Sequence, residues 1–292
     1  MRVLGISQPR FGSAWKAIPV LALAAAVASC GGGAATSTAA KPAQPAPSTS
    51  AAGVTVYDQT YAFDPSANTP DASAQYEIVT PTGRHVYVDV VQWGFENRKP
   101  TKDDILLVTH GHPDHMGTGV VEGFPGKTVV LKAESIDLPD VKITGVASTH
   151  TFGSTPADAD NMVFVIDTGG VRIAHFGDIG QSELTAEQKR AIGTPDIMYS
   201  QLENEYSMMG PANTVGLDLV KSLQPRIFVP THIWGDPAMA KAAAEAYPAP
   251  VQAAARTMHV DPGALPATTT VLFSGLNADL YAKDLGLAKA PW

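Results

Sequence analysis

The sequence has little of several features on which particular classes of protein depend. It contains one cysteine, Cys30, so an intramolecular disulfide and a zinc site made of cysteines are both excluded. Charged residues make up 16 % of the 292 residues, with 28 Asp and Glu against 20 Lys and Arg. No basic cluster occurs, although binding to a phosphate backbone depends on one. We therefore expect no nucleic-acid partner, and any metal site must use histidines and carboxylates.

A long apolar segment near the N-terminus is also lacking. The run Ala17–Ala28 has twelve residues, whereas a membrane-spanning helix needs about 20. Positive charges without acidic residues precede this run, as in a secretory signal peptide. The segment Val27–Cys30 resembles the lipobox of bacterial lipoproteins, in which the signal peptide is removed and the cysteine is lipidated. An ordinary signal peptide cleaved near Ala28 is the alternative interpretation.

The segment after Cys30 has the composition of a flexible linker. Of the 23 residues 31–53, 21 are Ala, Gly, Pro, Ser or Thr, and none is Val, Ile, Leu or aromatic. We therefore predict a signal peptide at 1–29, a lipidated Cys30 with a linker to 53, and a folded domain at 54–292. The protein would be held at the bacterial cell envelope, on a periplasmic or extracytoplasmic face, by the lipid on Cys30.

Beyond the linker, short β-rich runs alternate with helical patterns, and turn residues separate the runs at 81–83 and 168–170. The predicted strands are Gln75–Thr80, His85–Val91, Ile105–Thr109, Thr128–Leu131, Val141–Val146, Met162–Asp167, Val171–Phe176, Ile227–Pro230 and Val271–Phe273. The predicted helices are Thr185–Ile192, Asn213–Leu223 and Pro237–Tyr247. This alternation is typical of an α/β domain, in which helices cover the sheets.

Three of the eight histidines lie in one hexapeptide, His110–His115, with the sequence His-Gly-His-Pro-Asp-His. It directly follows the apolar run Ile105–Thr109, and loops at the ends of buried strands are where α/β proteins build sites. His110 and His112 can converge on one cation, while Asp114 and His115 can face a second. Imidazole and carboxylate ligands suit zinc, manganese or iron. The hexapeptide therefore predicts a metal site.

The pattern His-x-His-x-Asp-His resembles the signature of the metallo-β-lactamase superfamily. Three further ligand positions of that family are filled in order after predicted strands, by His150, Asp178 and His232. The resemblance covers about residues 75 to 235. It implies an α/β fold of a particular type, the four-layer αββα sandwich.

The resemblance also implies roles for these residues. His110, His112 and His150 would hold one divalent metal ion, and Asp114, His115 and His232 would hold another. Asp178 would bridge the two ions, with a shared hydroxide as the nucleophile. Zinc is the first expectation for the metal, and manganese and iron are the alternatives. Asp114 and Asp178 are the predicted catalytic residues, and Asp114 or solvent would carry the proton of the leaving group.

The residues around the last predicted ligands indicate which branch of the superfamily this chain resembles. Bona fide β-lactamases lack an aspartate at the position of Asp178, and the stretch from Pro195 to His232 resembles ascorbate-6-phosphate lactonase and related hydrolases. Those relatives often have a Gly-Gly pair before a Tyr-Thr-Met element, whereas this chain has the stretch Glu203–Met208 instead. We predict a hydrolase of a small ester, lactone, thioester or phosphoester. The alternatives are iron-dependent sulfur oxidation and a non-catalytic lipoprotein that binds a metal or a ligand.

Several other residues have two interpretations. Asp89 matches a family aspartate that orients a ligand histidine, but it could also be a turn residue. His175 is expected in the core or beside a ligand, and His85 and His259 are expected to be structural or exposed. Asn161 could bond a backbone turn. The following side chains could either line the substrate pocket or pack in the core: Trp93, Phe95, Tyr206, Met208, Met209 and Trp234.

Overall fold

The computed structural model describes residues 53–60, 74–92, 98–153, 158–204, 207–210, 212–233, 237–248, 250–253 and 256–290. These residues form two β-sheets and five helices. None of the described helices is long and apolar enough to cross a lipid bilayer. The segment around Cys30 and its predicted lipidation lie outside the described residues.

The first sheet has six strands. They are β1 (Val54–Asp58), β2 (Tyr76–Val79), β3 (His85–Val88), β4 (Ile105–Val108), β5 (Lys127–Val130) and β13 (Thr257–Val260). Their order across the sheet is β13-β1-β2-β3-β4-β5, and β3, β4 and β5 run parallel. All four residues of β4 are buried, as is typical of a parallel strand that is covered on both faces.

The second sheet has nine strands. They are β6 (Ser135–Asp137), β7 (Val141–Ser148), β8 (Asn161–Thr168), β9 (Val171–His175), β10 (Ile197–Gln201), β11 (Ile227–Thr231), β12 (Val251–Gln252), β14 (Thr270–Phe273) and β15 (Ala288–Lys289). Their order is β15-β12-β14-β11-β10-β9-β8-β7-β6. The strands from β9 to β15 run parallel, whereas β6 to β9 form antiparallel hairpins.

Helices cover the outer faces of both sheets. They are α1 (Thr118–Gly123), α2 (Ala186–Ile192), α3 (Val215–Leu223), α4 (Pro237–Glu245) and α5 (Gly275–Leu285). The α1 helix packs on the first sheet through Val120, and α2 to α5 pack on the second sheet. A third apolar cluster, which includes Ile78, Leu107, Phe164 and Val229, fills the space between the sheets. The predicted four-layer αββα architecture is therefore confirmed.

The two hairpins and three helices predicted from the sequence are present, with bounds that differ by a few residues. The β8–β9 turn uses Gly169 and Gly170, both with positive φ, as a two-residue turn between twisted strands requires. Sequence interpretation missed the helices α1 and α5 and the strands β1, β6, β10, β12, β13 and β15. The β1 strand depends on pairing with β13, where Val54 lies opposite Val260. Such a contact across two hundred residues leaves no local pattern.

A buried carboxylate fixes the start of β4, the strand that leads to the histidine hexapeptide. Asp104 accepts two hydrogen bonds from Arg98, at 2.7 and 2.8 Å, one from the His85 backbone N–H, and two from Thr101. Burial alone would raise the pKa of the Asp104 carboxyl, but these bonds outweigh it and lower that pKa to about 2.

Asp104→Asn should therefore destabilise the protein at neutral pH by about 1–2 kcal/mol, a value discounted because Arg98 is partly exposed. The folded-state pKa is lowered, so the stabilisation is present above the unfolded-state value near 4 and is lost as the pH falls through about 2. Urea unfolding between pH 3 and 7 measures this difference. Asp103→Asn is the control, because Asp103 is exposed. A gap between wild type and Asp104→Asn that does not narrow at low pH would contradict the prediction.

Candidate metal centre

The seven predicted ligands all lie in loops that follow strands. His110–His115 follows β4, His150 follows β7, Asp178 follows β9, and His232 follows β11. Strands that run parallel within a sheet end at the same edge, so their loops meet there. The structure brings all seven residues into one place.

The seven side chains form two groups that share one carboxylate. The first group is His110, His112, His150 and Asp178, and the second group is Asp114, His115, Asp178 and His232. Within each group, one ligand atom of each residue lies within 4.8 Å of those of the others. The chain therefore has two clusters of donors, each of a size suited to one metal ion.

The histidine rings of each group pack closely. In the first group, the ring centroids of His110 and His150 are 5.0 Å apart and those of His112 and His150 are 4.6 Å apart. In the second group, the rings of His115 and His232 are parallel within 4°, and their Nε2 atoms are 3.3 Å apart. The 3.3 Å separation of the two Nε2 atoms suits a shared proton or cation between them.

Asp178 lies between the two groups and is almost fully buried. Its Oδ1 is 3.1 Å from His115 Nε2 and 3.3 Å from His232 Nε2. Its Oδ2 is 3.4 Å from His150 Nε2. Burial would raise the pKa of this carboxyl, but the neighbouring imidazoles of His115 and His232 outweigh it and hold that pKa well below its usual value. Asp178 is thus an ionised carboxylate with one oxygen toward each group.

The pKa values of the surrounding residues are shifted in different directions. Burial lowers the pKa of the His115 imidazole, but Asp178 and Asp89 outweigh it and raise that pKa well above its usual value. Burial and the neighbouring His115 lower the pKa of His110 to about 3. For Asp114, burial would raise the carboxyl pKa, but His232 and His115 lower it to about 2. His110 is therefore neutral, the form that binds metals.

Asp89 orients His115, as the resemblance implied. Its Oδ2 lies 2.7 Å from His115 Nδ1, which leaves Nε2 directed toward Asp178. The backbone N–H and the hydroxyl of Thr109 each donate a 2.7 Å hydrogen bond to the same carboxylate. Asp89 has a φ of 53°, a conformation that is uncommon for a residue with a side chain and is concentrated at functional sites.

Asn161 holds the turn that carries Asp178, in line with its predicted bond to a backbone turn. Its Oδ1 accepts from the Asp178 N–H at 3.2 Å, and its Nδ2 donates to the Phe176 carbonyl at 2.9 Å and to Ser148 Oγ at 2.7 Å. Between these residues, Gly177 adopts a φ of 53°. The backbone of Asp178 is thereby fixed.

Two polar contacts at the site were missed by sequence interpretation. Asp160 accepts a 2.6 Å hydrogen bond from the His150 N–H, and the Asn204 side chain donates a 2.9 Å hydrogen bond to Asp178 Oδ2. Each contact joins residues at least ten positions apart, so no local motif predicts it. Asn204 belongs to the stretch Glu203–Met208 that departs from the family pattern, and its side chain contacts the shared carboxylate.

The other candidate residues divide between core and surface. His175 is buried, its Nε2 lies 3.3 Å from the Ala74 carbonyl oxygen, and burial lowers its pKa to about 4. Met209 is in the core beneath the second sheet, whereas Met208 is 63 % exposed. His85 contacts buried Glu77, and His259 is exposed. The candidates Trp93, Phe95, Tyr206 and Trp234 lie outside the described residues.

The donor set fits divalent metal ions. Five imidazoles and two carboxylates match zinc, manganese or iron, and the absence of thiols excludes none of these. His110 Nε2 is buried and has no hydrogen-bond partner among the described residues, although it faces Asp178 Oδ2 at 3.7 Å. A buried polar atom without a partner is costly, and a metal ion at this position would satisfy it. His112 and Asp114 are half-buried, so the site reaches solvent on their side.

Comparison with known proteins agrees with this geometry. The family model described as "Beta-lactamase superfamily domain" matches residues 72–232, more than half of the chain. A UPF0173 metal-dependent hydrolase of Koribacter versatilis is 23 % identical over 194 residues, which are 54 % of this chain and 80 % of that protein. Another from Thermoplasma acidophilum is 30 % identical over 153 residues, which are 45 % of this chain and 66 % of that protein.

A similar solved structure is that of a putative Zn-dependent hydrolase of the metallo-β-lactamase superfamily from Thermotoga maritima. Its TM-score is 0.52 at 17 % identity, with 76 % of this chain and 99 % of that chain covered, so the likeness concerns the fold. The chain belongs to the family described as the β-lactamase superfamily domain. It is a metal-dependent hydrolase of the metallo-β-lactamase superfamily, so the predicted superfamily and enzyme class are confirmed.

Gly177→Ala should disturb the site from the backbone. A Cβ at this position would lie 2.4 Å from Asn161 Oδ1 and 2.7 Å from the Thr109 side chain, at a φ that disfavours a side chain. We expect a loss of roughly 1–3 kcal/mol in the free energy of unfolding. Thermal or urea unfolding measures it. Gly119→Ala is the control, because nothing lies within 4 Å of its added Cβ; equal stability of the two variants would refute the predicted steric clash.

Proposed function

We propose that this chain is a binuclear metal-dependent hydrolase of a small ester, lactone, thioester or phosphoester. The observation that carries the proposal is the sharing of Asp178 by two groups of ligands. The first group would hold one divalent ion and the second group the other, with Asp178 as the bridge. Two divalent ions in this donor set would activate a water molecule as the nucleophile and polarise the substrate oxygen.

Three features of the site support this proposal: the fixed position of Asp178, the orientation of His115 and the exposure of Asp114. Asp178 is buried and fixed, which suits a bridge that must keep two cations at a constant separation. Asp89 holds His115 so that Nε2 faces the centre. The Asp114 side chain is 19 % exposed, against 2 % for Asp178. This exposure supports the second role proposed for Asp114, transfer of a proton to the leaving group.

The metal dependence can be tested by analysis of metal content and activity together. The purified protein should bind about two zinc or manganese ions, lose ester or lactone hydrolysis in a chelator, and regain it when the metal returns. Asp178→Ala should weaken binding at both sites and lower kcat/KM by more than about 100-fold, because it removes a ligand rather than a residue that only supports one. His110→Ala should deplete mainly one site and His232→Ala the other.

His259→Ala is the matched control, because this exposed histidine lies on β13 and contacts Thr55. It should leave both metal content and activity unchanged. Serine- and thiol-directed reagents should also have no effect, since the only cysteine is Cys30. Hydrolysis that continues in protein shown to be free of metal would contradict the proposal.

We also propose that Cys30 carries a lipid that holds the protein at the cell envelope. The lipobox-like segment Val27–Cys30 and the linker composition of residues 31–53 support this proposal. A protein anchored in this way would need acyl chains, because its excess of acidic residues is repelled by anionic lipid.

In a bacterial host, Cys30→Ser should either release the protein into the soluble fraction or leave an uncleaved precursor, because the acyl chains can no longer be attached. Fractionation followed by mass determination of the N-terminus distinguishes these results. Ser37→Ala, a change within the linker, should behave like wild type. A Cys30→Ser protein that is processed and stays with the membranes would show that the lipobox interpretation is wrong.

A further inference from the structure

The Asn204 side chain contacts one particular oxygen of the shared carboxylate. Its Nδ2 donates a 2.9 Å hydrogen bond to Oδ2 of Asp178, the oxygen that faces the first group. The other oxygen, Oδ1, faces the second group. The Asn204 amide therefore contacts only the carboxylate oxygen that faces the first group, so the two groups differ in this contact.

The backbone that carries Asn204 is fixed independently of this contact. Asn204 and Met209 exchange backbone hydrogen bonds of 3.1 and 3.2 Å. Gln201, at the end of β10, donates from Nε2 to Ser207 Oγ at 3.0 Å and to the Ile179 carbonyl at 2.8 Å. Ile179 is next to Asp178, so Gln201 ties Ser207 to the backbone beside the carboxylate. The amide is thus held in place before any ion binds.

An aspartate side chain needs such a fixed contact to act as a bridge. Rotation about its terminal torsion is broad, since an sp³–sp² bond has no sharp staggered minima. Asn161 holds the backbone of Asp178, but its bond does not reach the carboxylate. Rotation would move Oδ2 away from His150 and His110. A donor at Oδ2 opposes this rotation.

We propose that Asn204 is a positioning residue that keeps Asp178 Oδ2 directed at the first group, so that the metal affinity of that group depends on the Asn204 amide. This inference rests on the proposed binuclear function. It assigns to Asn204 an effect on one of the two ions, whereas loss of Asp178 itself affects both. Glycine or alanine at this position would lack the donor.

Titration of the metal-free full-length protein with Zn²⁺ in competition with a chromophoric chelator tests the proposal, because it yields two stepwise dissociation constants. Asn204→Ala should weaken binding at the first group by about 10- to 100-fold, the usual cost of losing a residue that supports a ligand. Asn204→Leu keeps the volume of the side chain without the donor and should have the same effect.

Two ligand variants assign the effect to a group. His232→Ala leaves the first group complete, and in this background Asn204→Ala should weaken the remaining site. His112→Ala leaves the second group complete, and there Asn204→Ala should change the affinity by less than about threefold, well below the usual loss. An effect confined to the His112→Ala background would overturn the proposal.

Asn213→Ala is the control for the backbone near Asn204. Asn213 Nδ2 donates a 2.9 Å hydrogen bond to the Met208 carbonyl, and its Oδ1 accepts one from the Val215 N–H, so the hydrogen bonds described for its side chain stay within this segment. Equal losses in Asn213→Ala and Asn204→Ala, or wild-type affinity in Asn204→Leu, would overturn the proposal. Wild-type protein that binds fewer than two zinc ions would refute the binuclear function. If Asn204→Ala binds two zinc ions with wild-type affinities, only the role of Asn204 is refuted.

Discussion

The buried charge of Asp178 is the constraint on which the rest of the centre depends. An ionised carboxylate removed from water costs several kcal/mol unless cations or hydrogen-bond donors face both oxygens. Here four histidine nitrogens and one amide converge on it, with distances from 2.9 to 3.7 Å. The centre is therefore built for positive charge, and, against the effect of burial, Asp178 and Asp89 raise the pKa of the His115 imidazole accordingly.

The fold meets this constraint by sharp turns at the ends of strands. Asp89 after β3, Gly177 after β9 and His232 after β11 all have φ values between 51° and 53°. Each turn directs the chain out of a sheet directly into the site. Two of the three residues have side chains and so carry a conformational cost, which the packed sheets on both sides must offset. Stable strands are thus a condition for the geometry of the ligands.

A layer of amides and hydroxyls then fixes the ligands. Thr109 holds Asp89, Asp89 holds His115, Asn161 holds the backbone of Asp178, and Asn204 contacts its carboxylate. Such outer contacts set the orientation and basicity of metal ligands. Because the two oxygens of Asp178 have different partners, the two halves of the centre are not equivalent.

The sequence by itself determined the β-rich alternation, the order of the seven candidate ligands, and the position of each after a strand. These features are local: an apolar run predicts a strand, and His110–His115 shows its donors within six residues. Only the tertiary structure decided that β1 pairs with β13, that Asp160 and Asn204 contact the ligands, and which oxygen of Asp178 faces which group. Those contacts join distant parts of the chain, and their partners are chosen by the packing of two sheets, which no short stretch of sequence encodes.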